Sequence, residues 1–342
     1  RWGRYDLLVL PPSFPFGGME NPNMTFATPT VLVGDKSLVS LVAHELAHSW
    51  SGNLVTAATW RDIWLNEGFT TYVQDRITEA VYGKALADEE ALLAARDLQK
   101  KLPGIAANLQ KLAPDPDGLA ADDTLGVVAY HKGAWFLRTL EARYGRQLLD
   151  AWLRGYFDHF AYCSICTEDM LAYLKASLVD RHPGRMGWDE VLAWVYQPGI
   201  PADAPLPESP RFAMIDAARH DFLAGDIDAA GLDAHAWNTQ EWMYFLDRLP
   251  DVAPLEKLEQ LDAAWQLTGT ANAEIGMRWY VHAIAGGYQA AWPAAGEHMR
   301  RICHGVVGLP PADPGRRRGN HCRRQVAASR LSTSNSGVVG IP

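Results

Sequence analysis

Short apolar runs broken by proline and glycine occupy the beginning of the chain. Residues 5–33 contain YDLLVLPP and MTFATPTVLV, where apolar and β-branched positions follow one another and then end at a turn residue. Runs of this kind are typical of strands and not of helices. The sequence therefore predicts a strand-rich segment at 5–33, and it predicts no other.

A helical pattern replaces the strand pattern from residue 36 to about residue 195. Apolar residues recur at three- and four-residue spacing in SLVSLVAHELAHSW, IWLNEGFTTYVQDRITEAVYG, GAWFLRTLEARYG and LLDAWLRGYFDHF. Two of these segments end at a glycine, Gly83 and Gly145, which suits a C-terminal cap. We expect Asp35 or Ser37 to cap the first helix.

The pattern changes twice more towards the C-terminus. Residues 197–210, QPGIPADAPLPESP, are rich in proline and lack periodicity, so a domain boundary is predicted there. Residues 211–301 then alternate apolar helices with short polar joints, as in a stack of helical hairpins. After that, proline, glycine, arginine and serine dominate. We expect a first domain at 1–203, an all-α domain at 204–300, and a tail at 301–342 that is disordered or comes from a shifted reading frame.

Composition narrows the classes of function. A chain of 342 residues with 48% hydrophobic content can bury a large core, and the patterns above make it an α+β, mostly helical protein. Its net charge of −9 argues against nucleic acid and against an anionic membrane as partner. Four cysteines without a dense framework, among them the CxxC pair Cys163 and Cys166, predict free thiols in a reducing, cytoplasmic setting. The chain opens without Met or a signal segment, so it resembles a piece of a longer protein.

The segment HELAH at 44–48 carries the candidate chemistry. His44 and His48 are four residues apart, so on a helix both imidazoles lie on one face and can hold one cation, whereas Glu45 points off that axis. A zinc ion that activates water needs three protein ligands and an open fourth position. Glu67 follows His48 after eighteen residues, in the helical segment WLNEGFTTY. The full pattern predicts one zinc ion per chain, held by His44, His48 and Glu67.

The alternative is that these histidines are ordinary residues of an apolar helix. In that case Glu45 and Glu67 would lie close to a buried face, and neither segment offers a cationic partner. Isolated buried carboxylates are costly. A bound metal ion removes this difficulty, so the sequence favours the metal site.

Three motifs together resemble a known family. GGMEN at 17–21, HELAH at 44–48 and NEG at 66–68 are similar to the motifs of the zinc aminopeptidases of the gluzincin clan. The run PPSFPFGGMENP through GDKSLVSLVAHELAHSWSGNLV resembles the leukotriene-A(4) hydrolase/aminopeptidase branch, and the resemblance extends to about residue 300. It implies a thermolysin-like zinc-peptidase catalytic domain followed by an all-α helical-repeat domain. It also implies release of N-terminal residues from short peptides that have a free N-terminus.

The resemblance also assigns roles to individual residues. It implies that Glu45 is the general base and that the hydroxyl of Tyr130, in GVVAYHKG, stabilises the oxyanion. Glu20 would bind the α-amine of the substrate, because a carboxylate opposite an ammonium group explains restriction to N-termini. The resemblance places the rest of GGMEN beside the substrate, where glycine lets the backbone approach closely: Gly17, Gly18 and Met19.

Two other functions stay open at this point. The first is hydrolysis of a lipid epoxide at the same zinc site, for which Asp122 would direct water. That function is disfavoured by Leu125, because the branch has an aromatic residue five positions before the oxyanion tyrosine. The second is a catalytically silent fragment that keeps the fold. The sequence encodes neither the oligomeric state nor the side-chain preference of the site.

Overall fold

The structure is a computed structural model that describes residues 3–11, 14, 16–31, 38–120 and 123–303. Four features predicted from sequence lie outside the described residues. They are the two candidate caps of the first helix, the candidate water-directing aspartate of the epoxide reaction, and the tail from residue 304 onwards: Asp35, Ser37, Asp122 and 304–342.

The start of the chain forms a three-stranded sheet, which confirms the strands that the short apolar runs at 5–33 predict. Its strands are Asp6–Val9 (β1), Gly18–Met19 (β2) and Met24–Ala27 (β3), in the order β1-β3-β2. β1 is parallel to β3, whereas β2 is antiparallel to it, with Met19 opposite Phe26. Because β2 is an edge strand, the backbone of the GGMEN segment borders the sheet instead of lying inside it.

A second, parallel sheet joins Thr56–Ala57 (β4) to Ser164–Ile165 (β5). The prediction of a single strand-rich region was wrong on this point. Two-residue strands are too short to produce an alternating pattern, and each lies between strongly helical segments.

Helices account for most of the described chain. The helices before the proline-rich segment are Val39–Ala47 (α1), Trp64–Tyr82 (α2), Lys84–Lys101 (α3), Gly133–Tyr144 (α4), Arg146–His159 (α5), Thr167–Leu174 (α6) and Trp188–Tyr196 (α7). Those after it are Pro210–Ala224 (α8), Thr239–Asp247 (α9), Leu255–Trp265 (α10), Ala273–Ala285 (α11) and Trp292–Cys303 (α12). Two segments are π-helical, Val128–Lys132 and Lys175–Val179. All segments predicted to be helical contain one of these helices.

Short 3₁₀ turns link several of these elements. They are Pro29–Val31, Trp60–Asp62, Leu102–Gly104, Ala107–Gln110, Ala230–Leu232, Ala234–Ala236 and Gln289–Ala291.

Local capping explains where several helices begin and end. α9 starts at a capping box in which Asn238 accepts a hydrogen bond from the Glu241 amide and the Glu241 carboxylate accepts one from the Asn238 amide. The predicted terminal glycines are confirmed. Gly83 and Gly145 have φ of 93° and 82°, backbone values that favour glycine.

The described residues form two compact units. The first unit contains the described parts of Arg1–Glu45, Ile77–Leu93 and Pro207–Gly308, and the second contains Leu46–Arg76 and the described parts of Ala94–Leu206. The domain boundaries at 203/204 and 300/301 stay predictions.

Each unit has its own aromatic core. In the second unit Phe69 of α2 stacks on Tyr156 of α5, with ring centroids 4.9 Å apart, inside a cluster that also buries Trp64, Tyr72, Phe136, Trp152 and Trp194. In the first unit Phe212 stacks on Tyr244 at 4.0 Å. Large buried aromatic groups dominate core energetics, so packing fixes one face of α2 from Trp64 to Val73. Within the described part of the chain, every helix is too short or too polar to cross a bilayer.

Candidate metal centre

His44 lies in α1 and His48 directly follows the last residue of that helix, and both histidines are buried in the protein interior. His44 is 9% exposed and His48 is 2% exposed. The small residues Ala43 and Ala47, which precede the two histidines, are also buried. Glu45, one position after His44, is 5% exposed, and one of its carboxylate oxygens lies within 4.8 Å of a ring nitrogen of His48.

The third predicted ligand meets these histidines. Glu67 lies in the first turn of α2 and is 6% exposed. Its Oε2 atom is 3.5 Å from Nε2 of His48, and the ligand atoms of His44, His48 and Glu67 all lie within 4.8 Å of one another. Two ligands of a tetrahedral zinc ion are separated by about 3.3 Å when each bond is about 2.0 Å. Two imidazoles and one carboxylate at this spacing are a donor set that fits zinc.

A hydrogen bond to the other ring nitrogen orients His48. Its Nδ1 is 2.8 Å from the carbonyl oxygen of Ser51 and 3.1 Å from Oγ1 of Thr70. The hydroxyl of Thr70 also donates to the Ser51 carbonyl at 3.1 Å. A carbonyl acceptor requires the proton on Nδ1, which leaves the Nε2 lone pair directed towards Glu67.

Ser51 also fixes the start of the helix that carries Glu67. Its hydroxyl donates to the carbonyl oxygen of Leu65 at 2.6 Å. The neighbouring side chain of Asn66 accepts from the Ala57 amide at 2.9 Å. The main-chain carbonyl of Ser51 accepts a hydrogen bond from His48, and the Ser51 hydroxyl donates one to the first turn of α2. Ser51 therefore links His48 to the helix that carries Glu67.

The GGMEN segment lies against the predicted general base. A Cβ atom on Gly18 would overlap Oε1 of Glu45 and lie 2.7 Å from its Cγ, so only glycine allows this approach. One ligand atom each of Glu20, Glu45 and His48 lies within 4.8 Å of the other two. Gly17 accepts a hydrogen bond from the Thr28 amide at 2.9 Å, and Met19 lies in β2. The structure therefore brings Glu20 and Gly18 to the side of Glu45.

Tyr130 lies in the π-helical segment Val128–Lys132 and is partly buried against the core of the second unit. π-helical turns are rare and are frequent at functional sites. Nothing in the sequence GVVAYHKG signalled this turn, since its apolar spacing fits an ordinary helix equally well.

Several supporting residues have no signature in the sequence. Tyr5, which precedes β1, shares a hydrogen bond with the buried Thr25. Burial raises the pKa of Tyr5, the hydrogen bond with Thr25 opposes this rise, and the negative charge of Glu45 adds to it. Single Ser, Thr and Tyr residues such as Ser51, Thr70 and Tyr5 carry no spacing signal, so only coordinates could reveal them.

The structure also shows the state or exposure of three further residues that the sequence analysis singled out. Cys163 and Cys166 are free thiols, as expected, and Cys163 is exposed. Leu125, five residues before Tyr130, is 36% exposed. It therefore presents an aliphatic side chain where the branch has an aromatic one.

Comparison with known families covers most of the chain. The model of the peptidase family M1 domain matches residues 1–185, and the model described as leukotriene A4 hydrolase, C-terminal, matches residues 237–306. The two matches lie on either side of the proline-rich segment.

Curated relatives agree with these family matches. The chain is 38% identical to aminopeptidase B of Rattus norvegicus over 298 residues, which covers 81% of this chain and 45% of that protein. It is 34% identical to leukotriene A-4 hydrolase of Xenopus laevis over 315 residues, covering 86% of this chain and 50% of that protein. The chain thus spans about half the length of the curated relatives it matches.

A solved structure shares the fold. Yeast LTA4 hydrolase in complex with bestatin superimposes with a TM-score of 0.71 at 28% identity, over 97% of this chain and 57% of that one. The fold predicted from sequence, a zinc-peptidase catalytic region followed by helices, is confirmed. The chain belongs to peptidase family M1.

Proposed function

We propose that this chain is the catalytic part of a zinc-dependent aminopeptidase that removes N-terminal residues from short peptides. The observation that carries the proposal is that the ligand atoms of His44, His48 and Glu67 lie within 4.8 Å of one another, with Glu20 and Glu45 close to His48. A buried set of two imidazoles and one carboxylate leaves a fourth position for water or substrate. An additional carboxylate that lies next to this position can serve as a base.

His44, His48 and Glu67 would hold one zinc ion per chain. When bound there, zinc supplies a Lewis acid that polarises the scissile carbonyl and makes water more acidic. Glu45 is buried beside this position, so its carboxylate takes the proton of the attacking water and passes it to the leaving amine. Gly18 supports this role, because its bare backbone packs directly on the Glu45 carboxylate and limits where that group can lie.

Glu20 supplies selectivity for the N-terminus of a peptide. A free α-amine is cationic at neutral pH, and a partly buried carboxylate at the end of β2 is its natural partner. A peptide bound by its ammonium group to Glu20 places its first peptide bond near Glu45, since the carboxylates of Glu20 and Glu45 are neighbours. An N-acetylated peptide lacks this charge and should be a poor substrate.

Tyr130 would donate its hydroxyl hydrogen to the oxygen that gains negative charge as the carbonyl is attacked. The backbone next to Tyr130 approaches the backbone next to Glu67, since a Cβ atom on Gly68 would be 3.0 Å from the carbonyl oxygen of Ala129. This closeness supports a role for Tyr130 at the same site.

The proposal includes the predicted organisation of the chain. A catalytic domain at 1–203 would be followed by an all-α domain at 204–300. The acidic net charge of −9 supports peptide partners over nucleic acid or anionic membranes. Free thiols at Cys163 and Cys166 support a reducing, cytoplasmic setting.

The test uses the full chain with one equivalent of zinc. We expect hydrolysis of aminoacyl anilides and of short peptides but not of their N-acetylated forms. Glu45→Gln should keep zinc and lose turnover by a factor of about 10² or more. Zinc-loaded protein that is inert towards a broad set of these substrates would instead support the silent fragment.

A lipid epoxide is the informative second substrate, because a relative named leukotriene A-4 hydrolase is 34% identical to this chain. Leu125 offers neither a ring nor a hydroxyl at its position, which argues against a stabilised carbocation there. We expect no turnover of a conjugated lipid epoxide under conditions where anilides are cleaved. Zinc-dependent epoxide opening would revive this alternative.

A further inference from the structure

Two glycines touch where the helix carrying Glu67 crosses the helix that follows Tyr130. A Cβ atom on Gly68 would be 2.7 Å from Cα of Gly133, and a Cβ atom on Gly133 would be 2.7 Å from Cα of Gly68. Both distances are to backbone, which cannot move aside as a flexible side chain can. The two helices α2 and α4 are therefore closer here than any side chain at these positions would allow.

The sequence positions of these glycines connect the contact to the proposed site. Gly68 directly follows Glu67, and Gly133 is three residues after Tyr130. The contact also reaches the π-helical turn itself, since a Cβ atom on Gly68 would be 3.0 Å from the carbonyl oxygen of Ala129. One crossing thus sets the distance between the backbone of a proposed metal ligand and that of the proposed oxyanion donor.

Lys132 anchors the same turn from another direction. Its side chain is 0% exposed, and its Nζ donates to the carbonyl oxygens of Gln110 and Gln197, both at 2.8 Å. Among the described residues it makes no ion pair. A buried amine without a carboxylate partner is costly, so this lysine contributes something other than electrostatic stability.

These observations concern one short stretch of chain. The π-helical segment Val128–Lys132 holds Tyr130 in its middle, ends at a residue tied to two distant carbonyls, and is followed by Gly133. A π-helical turn closes its hydrogen bonds between residues i and i+5 and is rare. The Gly68 contact and the Lys132 hydrogen bonds both attach this turn to other parts of the second unit.

We propose that Lys132 and the pair Gly68 and Gly133 are positioning residues that fix the hydroxyl of Tyr130 relative to Glu67. The proposal rests on the role of Tyr130 in the proposed function. A hydrogen-bond donor acts on a developing charge only at the correct distance, and a displacement of about 1 Å can cost roughly 100-fold in rate. A methyl group at position 133 forces a displacement of this size.

The test is a double-mutant cycle on the zinc-loaded full chain. Gly133→Ala should lower kcat by roughly 10- to 100-fold with KM and zinc content little changed. In a Tyr130→Phe background the same substitution should change kcat by no more than about twofold, because the hydroxyl it displaces is already gone. Gly126→Ala is the matched control: Gly126 is exposed, four residues before Tyr130, and a Cβ there meets nothing within 4 Å.

Lys132→Met gives a second, independent arm if Gly133→Ala does not fold. It removes both hydrogen bonds to Gln110 and Gln197 and keeps an unbranched side chain of similar length. We expect the same fall in kcat when Tyr130 is present and the same absence of effect in the Tyr130→Phe background. Equal fold losses in both backgrounds, for either variant, would overturn the proposal.

A crystal structure of Gly133→Ala separates this proposal from the proposed function. We expect a larger distance from the Tyr130 hydroxyl to the Glu67 carboxylate than in the unsubstituted chain, whether or not the chain cleaves peptides. An unchanged distance overturns the positioning role. Absence of any peptidase activity in the unsubstituted chain, together with the expected displacement, would count against the proposed function alone.

Discussion

Gly18 packs its backbone directly on the carboxylate of Glu45. A Cβ atom at this position would overlap Oε1 and Cδ of that side chain and lie 2.7 Å from its Cγ. The carboxylate therefore occupies the volume that any other residue at position 18 would need. The absence of a side chain at Gly18, in the edge strand β2, thus allows the carboxylate of the proposed general base to lie where it does.

This contact predicts the effect of Gly18→Ala. The added methyl group must push the Glu45 carboxylate aside, because the clash is far below van der Waals distance. We expect kcat for an aminoacyl anilide to fall by roughly 10- to 100-fold, with zinc content unchanged because neither Gly18 nor Glu45 is one of the three proposed ligands. Gly104→Ala, where a Cβ meets nothing within 4 Å, is the control. Full activity of Gly18→Ala would show that catalysis does not depend on the Glu45 carboxylate lying against Gly18.

The orientation of His48 predicts a change in metal affinity. Thr70→Val keeps the shape of this fully buried side chain but removes the hydroxyl that contacts His48 Nδ1 and donates to the Ser51 carbonyl. Loss of a hydrogen bond that orients a metal-ligating histidine typically weakens metal binding by about 10- to 100-fold. We expect competition with a zinc chelator to report a loss of this size, and excess zinc to restore activity.

Thr71→Val is the matched control for that experiment. Thr71 is the next residue, it is also buried, and its hydroxyl has no hydrogen-bond partner among the described residues. Valine at position 71 should leave zinc affinity unchanged. If both valine variants lose zinc equally, the effect comes from packing in α2 and not from the hydrogen bond to His48.

Lys132 predicts how stability depends on pH. Burial lowers the pKa of Lys132 from 10.5 to about 7. Between these values the unfolded chain binds a proton at Lys132 that the folded chain does not, so the free energy of unfolding rises with pH. The protein should gain about 1.4 kcal/mol per pH unit relative to Lys132→Met in this window. Below pH 7 the difference should be constant.

Urea unfolding of both proteins at several pH values measures this difference. Lys100→Met removes one positive charge from an exposed position and controls for the change in net charge. A difference between the Lys132 variant and the parent that stays flat from pH 7 to 10 would contradict the burial effect at Lys132.

Patterns in the sequence predicted those parts of the structure that depend on periodicity and on fixed spacing. The helical period predicted that His44 and His48 lie on one face, and the spacing to Glu67 singled out the carboxylate whose oxygen lies within 4.8 Å of both imidazoles. The helical period depends only on neighbouring residues, and the spacing from His48 to Glu67 belongs to a motif whose residue types are those that bind zinc. The same holds for the strands at 5–33 and for the glycine at the end of α2.

The parts that sequence could not predict depend on contacts between distant segments. Ser51 and Thr70 orient His48 through single hydrogen bonds, and neither residue type is unusual where it occurs. Gly68 and Gly133 are ordinary helix residues by sequence, and only their mutual approach shows why neither has a side chain. The short strands β4 and β5 pair residues more than 100 positions apart and leave no periodic signal.

The metal centre itself is tested most directly by an X-ray anomalous difference map. Crystals of the full chain grown with one equivalent of zinc would be measured above and below the zinc absorption edge. We expect a single strong peak in contact with the side chains of His44, His48 and Glu67, and loss of that peak in Glu67→Ala. A peak bound elsewhere, or no peak among these three residues at saturating zinc, would contradict the metallopeptidase assignment.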